Sequence, residues 1–245
     1  MNYNFRRKRR RRRAGALISL LLFLAGAFWV TGGKDYFIKE ESLPAYTGSF
    51  YPEEVPPYSG SPFSVVNGNI PFFTSDNLTG DAFEEYGDFD SYGRCTAAYA
   101  CVGPETLPEG EREELTEIRP TGWHNTKYEG IDREYLYNRC HLIGWQLTGE
   151  NANARNLITG TRFLNVEGML PFENTVGHYV RETGHHVLYR ATPIYEGRNL
   201  VASGVLLEGR SVEDSEILFC VYCYNVQPGI EIDYATGESR RQKSP

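Results

Sequence analysis

The chain has no second Cys-x-x-Cys to set against Cys220-x-x-Cys223, no internal repeat, and few bases beyond its first thirteen residues. Each shortage closes a class of function. A four-thiolate zinc site needs two such pairs. Cys220 and Cys223 lie instead in an apolar, strand-like run, ILFCVYCYNV, where side chains three apart point to opposite faces, so they read as core residues. Without a repeat, no solenoid or propeller is expected. Of 25 bases, eight (Arg6, Arg7, Lys8 and Arg9 to Arg13) sit in an N-terminal arm, leaving 25 − 8 = 17 bases against 32 acids, a balance of −15 for the rest. A protein that grips nucleic acid by neutralising many phosphates would carry a basic face instead. The five cysteines are an odd number, so at least one has no partner within the chain. Cys95 with Cys101 is a local disulfide candidate.

The long apolar run, from about Gly15 to Val30 (GALISLLLFLAGAFWV), follows the basic arm directly. By the positive-inside rule the arm stays cytoplasmic and everything after the run is delivered across the membrane. The run reads first as a membrane anchor, with cleavage after Ala25-Gly26-Ala27 and secretion as the alternative. Residues 1–31 are thus arm plus signal or anchor. Residues 32–62, rich in Gly, Ser, Pro and Tyr with prolines at 44, 52, 56, 57 and 62, read as a stalk. Residues 63–245 are left for one extracytoplasmic domain, long enough to bury a core.

Within that domain FSVV and IPFF flank Asn67-Gly68-Asn69, which predicts a short hairpin. The acidic stretch 104–120 reads as a solvated loop or short helix without chemistry. A strand runs from Tyr135 to about His141, residues 151–156 are turn-like, and LITGT follows as a second strand. LPFENTVGHYVRETG puts Phe172, Val176, Tyr179 and Val180 on one helical face, with Pro171 near the start and Gly184 as the stop. HVLYRATPIY and LVASGVLLEG form a hairpin, and ILFCVYCYNV adds a strand before Pro228-Gly229. The fold class is α+β: a mixed or antiparallel central sheet with a strand, strand, helix insert that gathers the polar residues.

Those polar residues come in order: Asn138-Arg139-Cys140-His141, then Arg155-Asn156, then Asn165, then Glu173. Hydrolysing a phosphodiester takes a base for water, positive charge for the phosphorane-like transition state, and help for the leaving oxygen. Histidine titrates near neutrality. Mg2+ keeps most of its waters, so one neutral asparagine oxygen can anchor it, and a carboxylate can hold its water shell. Singly, such residues are structural more often than not, since asparagine caps turns and a lone histidine packs. The ordered set carries the signal.

On these residues the stretch from about Tyr92 to Arg240 resembles the DNA/RNA non-specific endonuclease family, in its DNA-entry nuclease branch, with a ββα-metal (His-Me finger) site. Asn138-Arg139-Cys140-His141 stands where the family has Asp-Arg-Gly-His. The resemblance implies His141 as general base, Arg139 as a phosphate-side charge, Asn156 as the upstream asparagine of the site, Asn165 as ligand to Mg2+ (or Mn2+), and Glu173 as the group ordering metal-bound water. It also implies sequence-nonspecific cleavage of DNA, and of RNA, to 5′-phosphate ends. The partners are then nucleic acid as substrate and the membrane through the N-terminal segment, with no protein partner. A catalytically decayed nucleic-acid-binding surface module is the competing reading, motivated by the departures at Asn138 and Cys140. The acidic balance and the retained His, Asn, Asn and Glu weigh against it. His124, His178, His185 and His186 lie outside the matched positions; of these His124 is a candidate to line the substrate groove.

Overall fold

The computed structural model describes residues 49–74, 77–112, 117–124, 126–131 and 133–242. The basic arm, the apolar run and most of the expected stalk lie outside the described residues. Among the described residues no helix is long and apolar enough to cross a membrane.

In chain order the strands are β1 (Phe63–Val65), β2 (Phe83–Tyr86), β3 (Ala98–Val102), β4 (Tyr137–His141), β5 (Leu157–Thr161), β6 (Val187–Ile194), β7 (Gly204–Ser211), β8 (Leu218–Tyr224), β9 (Ile230–Ile232) and β10 (Ser239–Arg241). The α-helices are α1 (Trp145–Thr148) and α2 (Leu170–Thr183). Six strands make the central sheet in the order β1-β8-β7-β6-β3-β2, and β4 with β5 and β9 with β10 make two small ribbons. Every pairing is antiparallel. The expected hairpin is β6 with β7, in register from Val187↔Ser211 to Ile194↔Gly204. All seven residues of β8 are buried, Cys220 and Cys223 fully, as their apolar run requires of a strand covered on both faces. α2 closes one face, with Phe172 4.9 Å from Phe219 and 5.0 Å from Phe63 between ring centroids. Burying such an aromatic contributes on the order of 2 kcal/mol.

Two expectations are corrected. FSVV and IPFF do not form a hairpin: β1 pairs with β8, and Asn67, Gly68 and Asn69 take φ of 49°, 59° and 67°, one left-handed residue more than a two-residue turn uses. Asn69 then bridges the Cys220 N–H and the Leu218 carbonyl, and the Phe72 N–H donates to the buried Glu208 carboxylate at 2.7 Å rather than to a strand. Glu208 is itself held by Arg190, its cross-strand neighbour, at 2.7 and 2.9 Å. The five cysteines are free thiols, so Cys95 and Cys101 are not bridged. Cys95 donates to the carbonyls of Ala154 and Leu157. Within residues 49–62, part of the expected stalk and mostly exposed, Phe50 stacks on Tyr222, Tyr58 meets Phe163 and Tyr224 edge-on, and the Tyr224 hydroxyl donates to Pro56 O.

Candidate active site

β4 and β5 pair from Tyr137↔Thr161 to His141↔Leu157, so the polar run ends at the tip of a two-stranded ribbon. A π-helical turn, Leu164–Met169, then leads without a break into α2. The strand, strand, helix insert is therefore present, and the π turn in it is of the kind that recurs at functional sites. Asn225, at the end of β8 and fully buried, fastens the ribbon to the sheet. Its Oδ1 accepts from Thr161 N at 2.8 Å, and its Nδ2 donates to Thr159 O and Ala202 O at 3.0 and 2.9 Å.

His141 is 6% exposed. Its Nε2 lies 3.0 Å from the Asn151 carbonyl, which can only accept, so Nε2 carries the proton and Nδ1 presents its lone pair. That lone pair meets Arg112 Nη2 at 3.2 Å. Burial lowers the imidazole pKa to about 4; the Asn151 bond opposes the fall and the Arg112 charge adds to it. The ring is neutral at neutral pH.

Arg112 belongs to the acidic stretch read as a loop without chemistry, and it is this residue of the stretch that touches His141. Two arginines, Arg112 and Arg119, among the glutamates of PETLPEGEREELTEIRP give no periodic or motif signal, and only the path of the loop brings Arg112 to His141.

Glu173 sits in the first turn of α2, 6% exposed. Gln146 Nε2 donates to its Oε2 at 3.1 Å. Gly144 passes so close that a Cβ there would stand 2.7 to 2.9 Å from the carboxyl atoms. Burial raises the Glu173 pKa to about 7, opposed by the bonds from Gln146 and the Gly144 N–H and by the charge of Arg112. His141 and Glu173 are thus linked through the electrostatics of one arginine.

The other expected residues are distributed as follows. The Asn165 Oδ1 lies 3.3 Å from Cys140 Sγ. Cys140 is fully buried, and burial pushes its thiol well above the ordinary cysteine range, so it stays protonated. Asn156 is also fully buried, accepting from Ile143 N at 2.9 Å and donating to Ile143 O at 3.0 Å, which clasps the turn just after His141. The Arg139 guanidinium lies over the Trp123 ring at 4.6 Å, and its Nε donates to Ile118 O. Asn138 Nδ2 is a buried donor with no hydrogen-bond partner among the described residues. His124 bonds to Thr236 O; His185 pairs with Asp214, and His186 with Glu213 and Glu105.

A cleft of about 510 Å³ opens beside Asn151, edged by Glu105, Glu109, Glu111 and Trp145. Its carboxylates disfavour a phosphate. Among the described residues no group of three or more His, Cys, Asp or Glu is arranged to hold a metal ion. Among the expected site residues the oxygen donors are the half-buried Asn165 amide and the Glu173 carboxylate, a set that suits a hard, mostly hydrated divalent cation rather than a caged soft one.

The sequence model of the DNA/RNA non-specific endonuclease family matches residues 74–213, more than half of the chain. A deoxyribonuclease of Streptococcus dysgalactiae subsp. equisimilis is 28% identical over 195 residues, covering 62% of this chain and 59% of that protein, so the chain spans less than two thirds of that relative's length. NucA from Streptococcus agalactiae, in a crystal structure with magnesium bound, superposes with a TM-score of 0.67 at 24% identity over 75% of this chain and 91% of that one. The Sda1 nuclease with bound zinc gives a TM-score of 0.57 at 27% identity over 66% and 82%. The NucA likeness establishes a shared fold. With 140 residues (74 to 213) under the family model, the chain belongs to the DNA/RNA non-specific endonuclease family.

Proposed function

We propose that this chain is an extracytoplasmic endonuclease that hydrolyses DNA, and RNA as well, without sequence preference, with His141 as general base and a divalent cation as cofactor. One observation carries the reading: a buried, neutral imidazole whose proton is committed to Asn151 O and whose free lone pair faces the arginine that would receive a phosphate. The names of the relatives, a deoxyribonuclease and two nucleases, support the substrate class. The basic arm followed by the apolar run supports the location.

In the resting site Arg112 covers the base. A substrate phosphate draws the guanidinium onto its oxygens, because a charge-assisted bond is stronger than one to a neutral imidazole. Losing that cation and gaining the phosphate's charge both raise the affinity of Nδ1 for a proton. Nδ1 then takes the proton of the attacking water, while the Nε2–H bond to Asn151 O holds the ring and stabilises the imidazolium. Water adds to phosphorus in line, the bond to the 3′ oxygen breaks, and a 5′-phosphate remains. Asn165 Oδ1 would hold Mg2+, with Mn2+ as a substitute, and the ion would supply charge for the transition state and the leaving oxygen. Glu173 would accept hydrogen bonds from the waters of such an ion. Asn156 acts through the turn it clasps, as a positioning residue.

The purified full chain should nick supercoiled plasmid and degrade RNA in Mg2+, and a chelator should stop both. The decayed-module reading draws on the unpartnered Asn138 Nδ2. Filter-retained DNA that stays intact at high Mg2+ would favour that module and overturn the enzyme.

A further inference from the structure

Cys140 stands where the family resemblance has glycine, and the fold makes room for it. On β4, Asn138 and Cys140 share one face while Arg139 and His141 share the other. The Cys140 side chain therefore points away from the base and into the contact between β4 and the π turn. Across the ribbon Gly160 clears the space: a Cβ there would come within 2.5 Å of the Cys140 Cβ. Behind the sulfur lies Met169 Sδ at 3.8 Å, and in front of it Asn165 Oδ1 at 3.3 Å, the nearest acceptor. The His141 carbonyl is farther, at 3.7 Å.

A thiol has one hydrogen to give, and an asparagine amide has one end that can take it. Turned about its last torsion, the amide would bring its N–H groups to the sulfur, which is only a weak acceptor. The contact therefore favours one end of a side chain that is otherwise nearly symmetric in shape.

We propose that Cys140 is a positioning residue for Asn165, its S–H hydrogen bond holding the amide oxygen in the place from which it serves the divalent cation. The inference rests on the reading of Asn165 as the cation's protein ligand, and it makes Cys140 a determinant of metal affinity. Reactivity is not its role, since the thiol is fully buried.

The test is direct binding of Mn2+ to the full chain by electron paramagnetic resonance, beside the Mg2+ dependence of plasmid nicking, for the wild type and for C140A, C140S and N165A. Losing one modest orienting hydrogen bond should raise the Mn2+ dissociation constant of C140A about three- to tenfold. Serine keeps a donor and should restore binding to within about twofold. The half-saturating Mg2+ for nicking should follow the same order. C140A binding Mn2+ as tightly as wild type, or C140S binding as weakly as C140A, overturns the inference while a weakened N165A leaves the reading of Asn165 standing. N165A binding Mn2+ like wild type overturns both. Serine also keeps the test decisive if C140A alone fails to fold.

Discussion

Replacing Glu173 by glutamine should stabilise the metal-free protein in alkali while slowing its chemistry. Burial above all raises the pKa of the folded carboxyl to about 7 from an ordinary 4.5. Its sign is that of an acid that binds its proton more tightly when folded: stability is complete below the unfolded value and is lost as pH rises through about 7. A displacement of that size corresponds to about 3 kcal/mol once the group is ionised. The residue is only 6% exposed, so solvent screening takes little from this figure. Glutamine matches the shape and carries no charge, but its NH2 must face Gln146 Nε2 or the Gly144 N–H, which returns part of the gain. The expected net is about 2 kcal/mol at pH 8.5 and near zero at pH 5, or roughly 4–8 °C in melting temperature for a domain of this size. Thermal unfolding of wild type and E173Q in chelator at the two pH values measures it. A melting difference that is the same at pH 5 and 8.5 would refute the reasoning. Nicking in Mg2+ should be slower for E173Q at both.

Three further substitutions probe the supports of the site. Gly144→Ala drives a methyl to within 2.7 Å of the Glu173 carboxylate. It should destabilise by about 1–3 kcal/mol and lower kcat more than it raises KM for DNA, as steady-state nicking would show. Asn225→Ala strands Thr161 N, Thr159 O and Ala202 O in a dry junction. A loss of about 3–5 kcal/mol in urea unfolding is expected, and a loss under about 1 kcal/mol would mean the ribbon is not held there. The pKa of His186 is raised by Glu213 and Glu105 against the opposing effect of burial. Its contribution is present below the unfolded value and fades as pH rises through the folded one, so His186→Ala should cost more at pH 6 than at pH 8.5 in thermal unfolding.

Features that depend on neighbours in sequence were legible. Pro171 at the second position and Gly184, left-handed at φ 71°, punctuate α2 as the spacing of Phe172, Val176, Tyr179 and Val180 indicates. The long hairpin of β6 and β7 and the buried β8 follow from β-rich apolar runs. The order of His141, Asn156, Asn165 and Glu173 pointed to one insert, and the ribbon and π turn assemble it. Features set by tertiary path were not legible. Arg112 reaches His141 from a loop whose composition announces only solvation. Asn156 reads as a residue of the site in the sequence, and its amide is spent on Ile143. Three successive left-handed residues turned IPFF away from β1.

The most direct measurement is the rate at which the full-length His141→Ala variant nicks supercoiled plasmid in saturating Mg2+, beside its melting temperature and Mn2+ binding. With His141 as the base, nicking should fall by at least about 100-fold while folding and metal binding persist. Cutting within about tenfold of wild type, by a folded and metal-loaded variant, would contradict that role.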